Sequence, residues 1–398
     1  MIDIHAARHD PERFRAALAR RGAGEAFDEL MKADARWREL LPQVEELRAR
    51  QKVQGKPTPE QLEELKARKA RLSELEADLA VAEAERDAAL AKVPNPPHES
   101  AADGMTEDDA VEITRWGEPP QLEEPKEHTE IGRFELERAA KVSGTRFGFL
   151  VGDTALVALA LYRFALDRLV REGFTTVIPP VLVREEAMYG TGFFPSDKSD
   201  YYEIPADGLY LVGTSEVPLV AMHMDEILDA LPIRYCAFSS CFRRESGAAG
   251  RDTRGMFRVH QFQKVEMVVY TEPGESWDEH ERMLAVEESL IQELGIPYRV
   301  VNTAAGDLST AAVKRYDIEG WFPSQDRYRE LTSCSNTTDY QARRSKIRYR
   351  TRDKALETPH TLNGTAATDR WLLALLENFQ GDVPEALQRF GAPARVAK

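Results

Sequence analysis

Apolar residues recur at helical spacing through the first quarter of the chain. Trp37, Leu40, Val44 and Leu47 follow one another at intervals of three, four and three. A second run keeps a seven-residue repeat with an offset of three, through Leu65, Leu72, Leu75, Leu79 and Ala82. Such a narrow apolar stripe is typical of the seam of a coiled coil. Residues 55–59, GKPTP, interrupt it, because proline cannot continue a helix and glycine favours a turn.

The pattern therefore predicts an antiparallel helical hairpin with arms of about 27 residues, each roughly 40 Å long. A short helix near Pro11 to Arg21 precedes it. The second arm ends at PNPP, residues 94–97, and the stretch 98–111 is polar and acidic, which favours a linker. We predict an N-terminal domain over 1–97, a linker over 98–111 and a second domain over 112–398.

The second domain mixes helical and strand-like segments. Helical spacing covers 130–172, 276–295 and a stretch that begins near Thr368. Strand-like segments include 111–119, a run over 174–183 that contains Pro179 and Pro180, and a run that begins at Tyr298.

One polar loop stands out between two strand-like segments, in CFRRESGAAGRDTRGMFRVHQFQKVE, residues 241–266. The first strand is predicted to end in Arg243, Arg244 and Glu245, and the second to run from Met256 to Tyr270. A long polar loop between well-patterned strands is usually functional. The alternative is a solvated hairpin whose charges serve solubility.

The residue types around this loop favour binding of a nucleotide. Arginine at a strand end can fork onto phosphate oxygens. Glu245 lies two residues after Arg243 and is expected on the same strand face, where its carboxylate could accept from an exocyclic amine such as that of adenine. Phe262 could stack on a base, and Glu266, four residues later, is expected to share its face.

Charge and composition exclude some classes of protein. The net charge of −15, with 30% charged residues, argues against indiscriminate nucleic-acid binding but permits a local basic patch. No run approaches the ~18 apolar residues that span a bilayer, and the N-terminus lacks the apolar core of a signal peptide, so we expect a cytoplasmic protein with no membrane partner. The cysteines Cys236, Cys241 and Cys334 have neither the number nor the spacing of a disulfide framework or zinc site, which favours buried free thiols.

Basic residues cluster towards the end of the hairpin, at Arg48, Arg50, Lys52, Lys56, Lys66, Arg68, Lys69 and Arg71. On a protruding rod they could follow a phosphate backbone with little base recognition. For an isolated coiled coil, a solvated face of alternating charge is the alternative interpretation.

Three further positions carry candidate chemistry. Thr214 and Glu216 could share a strand face as polar groups, although Thr-Ser-Glu before an apolar run also suits a helix N-cap. Glu330 could hold magnesium, with a surface ion pair to Arg329 as the alternative. Arg370 lies in the first turn of a predicted helix, where a cation opposes the macrodipole, and a bound phosphate would explain it.

These segments together resemble a known family. FRxE, GRDTRG and RVHQFxKVE are similar to motif 2 of class II aminoacyl-tRNA synthetases, and specifically of bacterial-type seryl-tRNA synthetases. TSE at Thr214–Glu216 resembles the family's TxE loop, ELTS at Glu330–Ser333 its ExxS strand, and residues 360–380 its motif 3. A long helix followed by a strand with Pro180 resembles motif 1, the dimer-forming element, although a buried helix and edge strand within one monomer would produce the same pattern. The resemblance covers nearly the whole chain.

The resemblance implies an α+β fold, with an N-terminal coiled-coil hairpin followed by an antiparallel β-sheet domain flanked by helices. It implies a homodimer that activates L-serine with ATP and Mg2+, without zinc, and then transfers serine to tRNA(Ser), and also to tRNA(Sec). Arg243 and Arg370 are the implied catalytic residues, on the α- and γ-phosphates.

The resemblance also implies the remaining site residues. Serine would be bound by Thr214, Ser215, Glu216, Glu266 and Thr365. ATP would be bound by Arg243, Arg244, Glu245, Val259, Phe262, Glu330, Leu331, Thr332, Ser333 and Arg370, with Glu330 and Ser333 holding the metal. The tRNA would be bound by Arg48, Arg50, Lys52, Lys66, Arg68 and Lys69.

Two other functions are compatible with parts of this pattern. One is a synthetase relative that loads amino acids onto a carrier protein, but such relatives lack the long hairpin. The other is a non-catalytic binding protein on a synthetase scaffold, which would have little reason to keep Arg243, Glu245, Glu266, Glu330 and Arg370. A housekeeping enzyme and a specialised or inhibitor-resistant paralogue have the same pattern.

Overall fold

The structure is a computed structural model that describes residues 1–50, 59–246 and 255–397. The chain divides into two compact units, Met1–Pro96 and Pro97–Lys398. Lys52, Lys56 and most of the predicted hairpin tip lie outside the described residues, as does the centre of the polar loop. Within the described ranges, no helix is both long and apolar enough to cross a membrane.

The first unit is helical: α1 (Ile4–His9), α2 (Pro11–Ala19), α3 (Gly24–Ala49) and α4 (Pro59–Lys92). Asp3 and Asp10 cap the first two helices, since each side chain accepts from a backbone N–H of the first turn. The predicted single short helix is therefore two helices separated by Asp10, with Pro11 at the first helical position of α2.

The predicted hairpin is confirmed in α3 and α4. Val44 of α3 is buried against Leu72 and Leu75 of α4, and Leu40, Leu47 and Leu79 extend this seam. Arg48 and Glu76 pair across the two arms at 2.8 Å. The arms have 26 and 34 residues, so α4 is longer than predicted.

The second unit contains longer helices and many short strands. Its helices are α5 (His128–Ile131), α6 (Leu136–Ser143), α7 (Asp153–Arg171), α8 (Glu185–Thr191), α9 (Glu216–Ala221), α10 (Ser276–Leu294), α11 (Tyr340–Arg344), α12 (Asp369–Phe379) and α13 (Glu385–Gln388). Its strands are β1 (Val111–Trp116), β2 (Thr175–Val177), β3 (Leu182–Arg184), β4 (Glu203–Ile204), β5 (Leu209–Leu211), β6 (Ile227–Leu228), β7 (Ile233–Phe242), β8 (Gln261–Thr271), β9 (Tyr298–Asn302), β10 (Lys314–Phe322), β11 (Arg327–Thr338), β12 (Arg348–Arg350), β13 (Leu356–Glu357) and β14 (His360–Thr368).

A large sheet organises this unit, in the order β1-β9-β10-β11-β14-β8-β7-β2. Neighbouring strands are antiparallel except β2, which pairs parallel with β7. The apolar face of the sheet packs on α7, α10 and α12 around fully buried residues such as Leu161, Ile291 and Trp371. The predicted α+β architecture is confirmed, and the opposite face is left to carry polar side chains.

The segment predicted as a linker packs on the second unit instead. The His98 N–H donates to Val313 O at 2.8 Å, and Ala101 is buried with Leu308 and Ala312. Its polar composition was misleading because backbone hydrogen bonds and small buried alanines anchor it, and neither produces a periodic apolar pattern.

Two strand predictions need correction. The strand predicted to begin at Met256 begins at Gln261, although Met256, Phe257 and Val259 are buried. Their apolar character comes from packing as a turn against the core. Pro179 and Pro180 lie between β2 and β3 and not within a strand, since proline has no N–H for a sheet ladder.

The cysteines agree with the interpretation from sequence. Cys236, Cys241 and Cys334 are buried free thiols. Burial raises the pKa of each thiol, so they remain in the neutral form at neutral pH.

Candidate active site

Two cavities on the polar face of the large sheet share part of their lining. The larger has a volume of about 400 Å³ and the smaller about 110 Å³. Both are lined by Arg243, Glu245, Arg258, Lys264, Glu330 and Ser333. The larger cavity continues towards Glu216 and Glu266, and the smaller towards Phe262 and Arg370.

A β-bulge in β11 brings Glu330 and Ser333 to the same cavity. Residues three apart on a regular strand face opposite sides of the sheet. Here Ile318 pairs with Thr332 while the next residue of β10, Glu319, pairs with Glu330, so Leu331 is the extra residue. Leu331 packs in the core behind the sheet, and Glu330 and Ser333 therefore both face the cavities.

A second bulge in β14 has the same effect on two threonines. Thr365 pairs with Glu266, and Ala367 pairs with Val265, so Ala366 is the extra residue. Ala366 and Ala367 are both buried in the core. Thr365 and the residue three positions later, Thr368, consequently both line the smaller cavity.

Glu216 occupies the floor of the larger cavity. It is the first residue of α9, and its backbone N–H donates to Thr214 Oγ1 at 3.1 Å, so the helix-start interpretation of Thr-Ser-Glu is correct. Its carboxylate oxygen Oε1 accepts from Gln341 at 2.6 Å and from Asn363 at 3.0 Å. Burial, and then the charge of Glu266, raise the pKa of Glu216 to about 7. Ser215 is fully buried at the N-cap and is not among the lining residues.

Lys264 and Glu266 lie beside Glu216 on β8. They are two residues apart, so they share a strand face, and their side chains form a close ion pair. Thr365 Oγ1 lies 3.5 Å from Glu266 Oε2. Burial raises the pKa of Glu266, and Lys264 opposes that effect. The result is a buried cluster of alternating charge whose polar atoms face one small volume.

Arg243 and Phe262 form the wall between the cavities. β7 ends at Phe242, and the Arg243 N–H then donates to His260 O at 3.0 Å, which continues the pairing past the strand end. The Arg243 guanidinium lies 5.3 Å from the centre of the Phe262 ring. Val259 lies between these residues and the core and also lines the smaller cavity.

Glu245 reaches the same wall by a different route from the one predicted. Its φ is 54°, a left-handed conformation, so strand alternation with Arg243 does not apply. Its carboxylate accepts from Arg258 at 2.8 Å, and both residues line both cavities. Arg244 is turned elsewhere: its guanidinium lies over Tyr202, and it is absent from the described lining of either cavity.

Arg370 and Glu330 meet at the outer end of the smaller cavity. Arg370 Nη1 lies 3.1 Å from Glu330 Oε2, so Glu330 forms an ion pair with Arg370. Partial desolvation opposes ionisation of Glu330, whose side chain is about half exposed, but the charges of Arg370, Arg315 and Arg243 outweigh it and hold the pKa of Glu330 below its usual value. Arg370 also lies 4.6 Å from the centre of the Phe257 ring.

Asp369 explains how the start of α12 is held. Its carboxylate accepts from the hydroxyl of Tyr162 on α7 and from the Gln263 N–H of β8 at 3.1 Å. Burial raises the pKa of Asp369 to about 6. The side chain ties α12 to α7 and β8 and so orients Arg370.

The far end of the polar loop is held by a buried histidine that sequence analysis did not single out. The His128 Nε2 accepts from the Met256 N–H at 3.2 Å, and its Nδ1 donates to Glu377 at 2.8 Å. Gly255 has a φ of 67°, and a Cβ there would lie 2.6 Å from His128 Nε2. Only glycine fits this approach.

Other site residues were also missed. Lys264 could have been found, because it alternates with Phe262 and Glu266 on a predicted strand. Asn363 precedes Thr365 by two residues, so strand alternation could have identified it as well. Gln341 carried no local signal, since it comes from a short helix remote in sequence.

Most of the described basic residues of the hairpin form surface ion pairs. Arg48 pairs with Glu76 on the other arm. Neighbouring glutamates on the same helix pair with Arg50, Lys66 and Arg68. Exposed pairs of this kind contribute about 0–1 kcal/mol, so they can be exchanged for other anions at little cost.

Comparisons with known proteins agree with this geometry. Residues 1–97 match the seryl-tRNA synthetase N-terminal domain, and residues 202–379 match the class II tRNA synthetase core domain (G, H, P, S and T). The serine–tRNA ligase of Thermobifida fusca is 49% identical to this chain over 98% of its length and 97% of the ligase. The chain belongs to the seryl-tRNA synthetase family. This synthetase is a class II aminoacyl-tRNA synthetase that activates L-serine with ATP and attaches it to tRNA(Ser).

Other relatives also align over nearly the whole length of this chain. The serine–tRNA ligase of Nocardia farcinica is 47% identical over 96% of this chain and 94% of its own length. Among solved structures, seryl-tRNA synthetase from Pyrococcus horikoshii, complexed with ATP, has a TM-score of 0.93 and 39% identity over 100% of both chains. The cytoplasmic serine–tRNA ligase of Naegleria fowleri, in complex with AMP, has a TM-score of 0.87 and 34% identity over 97% of this chain and 95% of that one.

Proposed function

We propose that the synthetase binds serine on the floor of the larger cavity, with Glu216 facing the α-ammonium group. The carboxylate is buried, and Gln341 and Asn363 both donate to one of its oxygens, which leaves the other for a ligand. A cation entering this volume would lower the pKa of Glu216 and stabilise its charged form. Thr214 and Ser215 support this arrangement by forming the turn before α9.

Glu266, with Thr365, would recognise the serine hydroxyl. The two side chains are register partners on neighbouring strands and lie within 3.5 Å of each other. A site built to hydrogen-bond a hydroxyl rejects an analogue that lacks it, because its buried polar groups are then left unpaired. Alanine would enter this site but would lack the hydroxyl that Glu266 and Thr365 are proposed to bind.

ATP would occupy the smaller cavity with its triphosphate reaching Arg370. Phe262 offers an aromatic surface for adenine, with Glu245 and the backbone of Val259 at its edge. Arg243 stands where the two cavities join, which suits contact with the α-phosphate next to the serine carboxylate. Leu331 and Thr332 would contribute backbone along the same wall. The structure of the Pyrococcus horikoshii relative with ATP supports a nucleotide site in this fold.

Glu330 and Ser333 would hold magnesium. No group of three or more His, Cys, Asp or Glu side chains that could hold a metal is present among the described residues. Magnesium bound with ATP needs few protein ligands, because phosphates and waters supply the rest. The bulge gives Glu330 and Ser333 a common face, and the lowered pKa of Glu330 keeps its carboxylate charged. When bound, the ion would neutralise charge on the phosphates.

The first step requires no covalent attachment to the protein. The serine carboxylate would attack the α-phosphate, and the bond from the α-phosphorus to the bridging oxygen of the β-phosphate would break, which gives seryl-adenylate and pyrophosphate. Arg243 would stabilise the developing charge on the α-phosphate while Arg370 holds the departing pyrophosphate. The convergence of Glu216, Glu266 and Arg243 on one cavity is the observation that carries this proposal.

The helical hairpin would bind the tRNA. Arg48, Arg50, Lys66, Arg68 and Lys69 are exposed on its two arms, and Lys52 lies between the arms in sequence. Such a surface neutralises phosphates by releasing counterions, which makes its binding strongly dependent on salt. We expect the synthetase to act in the cytoplasm, where translation takes place.

A homodimer is the proposed assembly. Leu156, Leu159 and Val170 project from the outer side of α7 and are 47%, 60% and 53% exposed, while the inner side of that helix is in the core. Ile178, between β2 and β3, is 91% exposed. Exposed apolar side chains clustered in this way indicate a surface that another protein covers.

Aminoacylation of total bacterial tRNA with labelled serine, with AMP measured in the same tube, tests the proposal as a whole. Charged tRNA with matching AMP is the expected result. AMP without charged tRNA would favour a carrier-protein ligase, and neither product would favour a binding protein. Purified tRNA(Sec) in a parallel reaction tests the predicted second tRNA.

A further inference from the structure

Glu287 is a buried carboxyl group beneath the site that the proposed reaction does not use. It lies on α10, is fully buried, and its Oε2 is 3.1 Å from the hydroxyl oxygen of Thr332. The same hydroxyl contacts the backbone oxygen of Thr365. From the helix side of the sheet, Glu287 is thus connected to both bulged strands.

The two bulges leave a gap that side chains close. Backbone pairing between β11 and β14 in the described residues reaches Cys334 and Gly364 and extends no further towards the bulges. Beyond that point, the contact from Thr332 to Thr365 joins the strands. This junction carries Ser333 on one strand and Thr365 on the other, so its geometry sets the distance between the metal and serine subsites.

The hydrogen bond between the helix and the strand runs from Thr332 to Glu287. The Thr332 hydroxyl donates to Glu287 Oε2 at 3.1 Å, and the same hydroxyl contacts the backbone oxygen of Thr365. Burial, with the nearby charges of Glu266 and Asp317, outweighs the effect of this hydrogen bond and raises the pKa of Glu287 well above its usual value.

Gly364 allows the carboxyl group to come this close. A Cβ at that position would lie only 2.5 Å from Glu287 Oε1. The strand backbone and the buried acid are therefore in direct contact, and movement of one is transmitted to the other.

We propose that Glu287 is a positioning residue: it accepts a hydrogen bond from Thr332 and so holds the bulged junction that places Ser333 and Thr365. The inference rests on the proposed roles of those two residues in binding magnesium with ATP and serine.

Three variants test it in serine-dependent ATP–pyrophosphate exchange, with the full-length protein. Glu287→Gln keeps an oxygen that can accept from Thr332, and Glu287→Met keeps the length of the side chain but removes the acceptor. Glu288→Met is the matched control, since Glu288 lies on the same helix and accepts from Tyr298 at 2.8 Å, away from the cavities.

The expected pattern is a rescue by the conservative variant. Glu287→Met should lower kcat/KM for serine and for ATP roughly tenfold, the usual effect of one lost hydrogen bond, and should weaken discrimination against alanine. Glu287→Gln and Glu288→Met should remain close to the wild type. A variant that is only less stable would lower the amount of active enzyme and leave KM and discrimination unchanged.

Two results would overturn the inference: Glu287→Gln as impaired as Glu287→Met, or Glu287→Met with wild-type KM and discrimination. If Glu287→Met does not fold, Thr332→Val breaks the same connection and should produce the same kinetic changes, and wild-type values there would also overturn it. Thr365→Val distinguishes failure of the positioning role of Glu287 from failure of the proposed serine site. If discrimination against alanine is unchanged in Thr365→Val, the role of Thr365 in serine recognition is rejected. The effect of the Glu287 variants on KM for ATP still tests the positioning role in that case.

Discussion

Glu216 provides the sharpest test of the proposed serine site. Its burial suits it to bind an ammonium group, but the same burial makes the ionised carboxylate destabilise the protein when no ligand is bound. Its pKa is raised from the ordinary value of 4.5 to about 7, first by burial and then by the charge of Glu266. A pKa difference of that size corresponds to about 3 kcal/mol of unfolding free energy. Glu216→Gln removes the charge and keeps an oxygen for Gln341 and Asn363.

The pH dependence follows from linkage. Below pH 4.5 the carboxyl group is neutral in the folded and unfolded states, so its ionisation costs nothing. Between pH 4.5 and about 7 it ionises in the unfolded chain and stays neutral in the fold, so stability falls as pH rises. Above about pH 7 the carboxyl group is ionised in both states, and the full loss of unfolding free energy remains. Glu216→Gln should therefore exceed the wild type by less than about 1 kcal/mol near pH 5 and by about 3 kcal/mol near pH 8.

Urea denaturation at several pH values, at fixed protein concentration, measures this difference. A Trp37→Phe background confines the tryptophan signal to the second unit, because the other tryptophans lie there. Glu203→Gln, a change of an exposed glutamate on β4, is the control and should show no pH-dependent difference. A stability difference for Glu216→Gln that stays constant from pH 5 to 8 would refute the reasoning.

The same variant, Glu216→Gln, should bind serine more weakly. Removing one charged hydrogen-bonding partner costs about 1.5–3 kcal/mol, so KM for serine in pyrophosphate exchange should rise by roughly 10- to 150-fold. If Glu216→Gln is more stable than the wild type but binds serine more weakly, then Glu216 lowers the stability of the unliganded protein and is needed for serine binding. Unchanged KM would contradict its proposed role.

Three further predictions test the other parts of the proposal. Arg243→Ala should slow adenylation by about 2–4 kcal/mol in pyrophosphate exchange, and near-wild-type exchange would reject its contact with the α-phosphate. Changing Arg68 and Lys69 together to glutamine should leave pyrophosphate exchange intact and raise KM for tRNA, whereas an equal loss of both activities would argue against the hairpin as the tRNA-binding arm. Ile178→Asp should shift the protein from dimer towards monomer in light scattering, since about 1.5–3 kcal/mol of apolar burial is lost per side chain, and an unchanged dimer would place the interface elsewhere.

Sequence patterns predicted the elements that depend on local periodicity. The heptad seam through Val44 and Leu72 predicted the hairpin, because each apolar side chain needs a partner on the facing helix. Alternation on β8 correctly placed Phe262 and Glu266 on one face. The start of that strand was wrong, because Met256 and Phe257 pack against the core as a turn, and burial alone does not distinguish a turn from a strand.

Other features depended on distant contacts. In a regular strand, Glu330 and Ser333 would face opposite sides, and only the bulge at Leu331 brings them together. Glu245 reaches the cavity through a left-handed conformation and a contact with Arg258, neither of which strand alternation predicts. The hydrogen-bond donors to Glu216 are Gln341 and Asn363, which come from two separate elements, so no local sequence pattern predicts them.

The chain by itself therefore determined the helical hairpin, the mixed second domain and the identity of most polar residues in the site, because these follow from short-range spacing and residue chemistry. The tertiary structure decided which of those residues meet, through two strand bulges and the donors that converge on Glu216. It also decided their charge states, since the pKa of a carboxyl group depends on burial and on neighbours such as Glu266 that are remote in sequence.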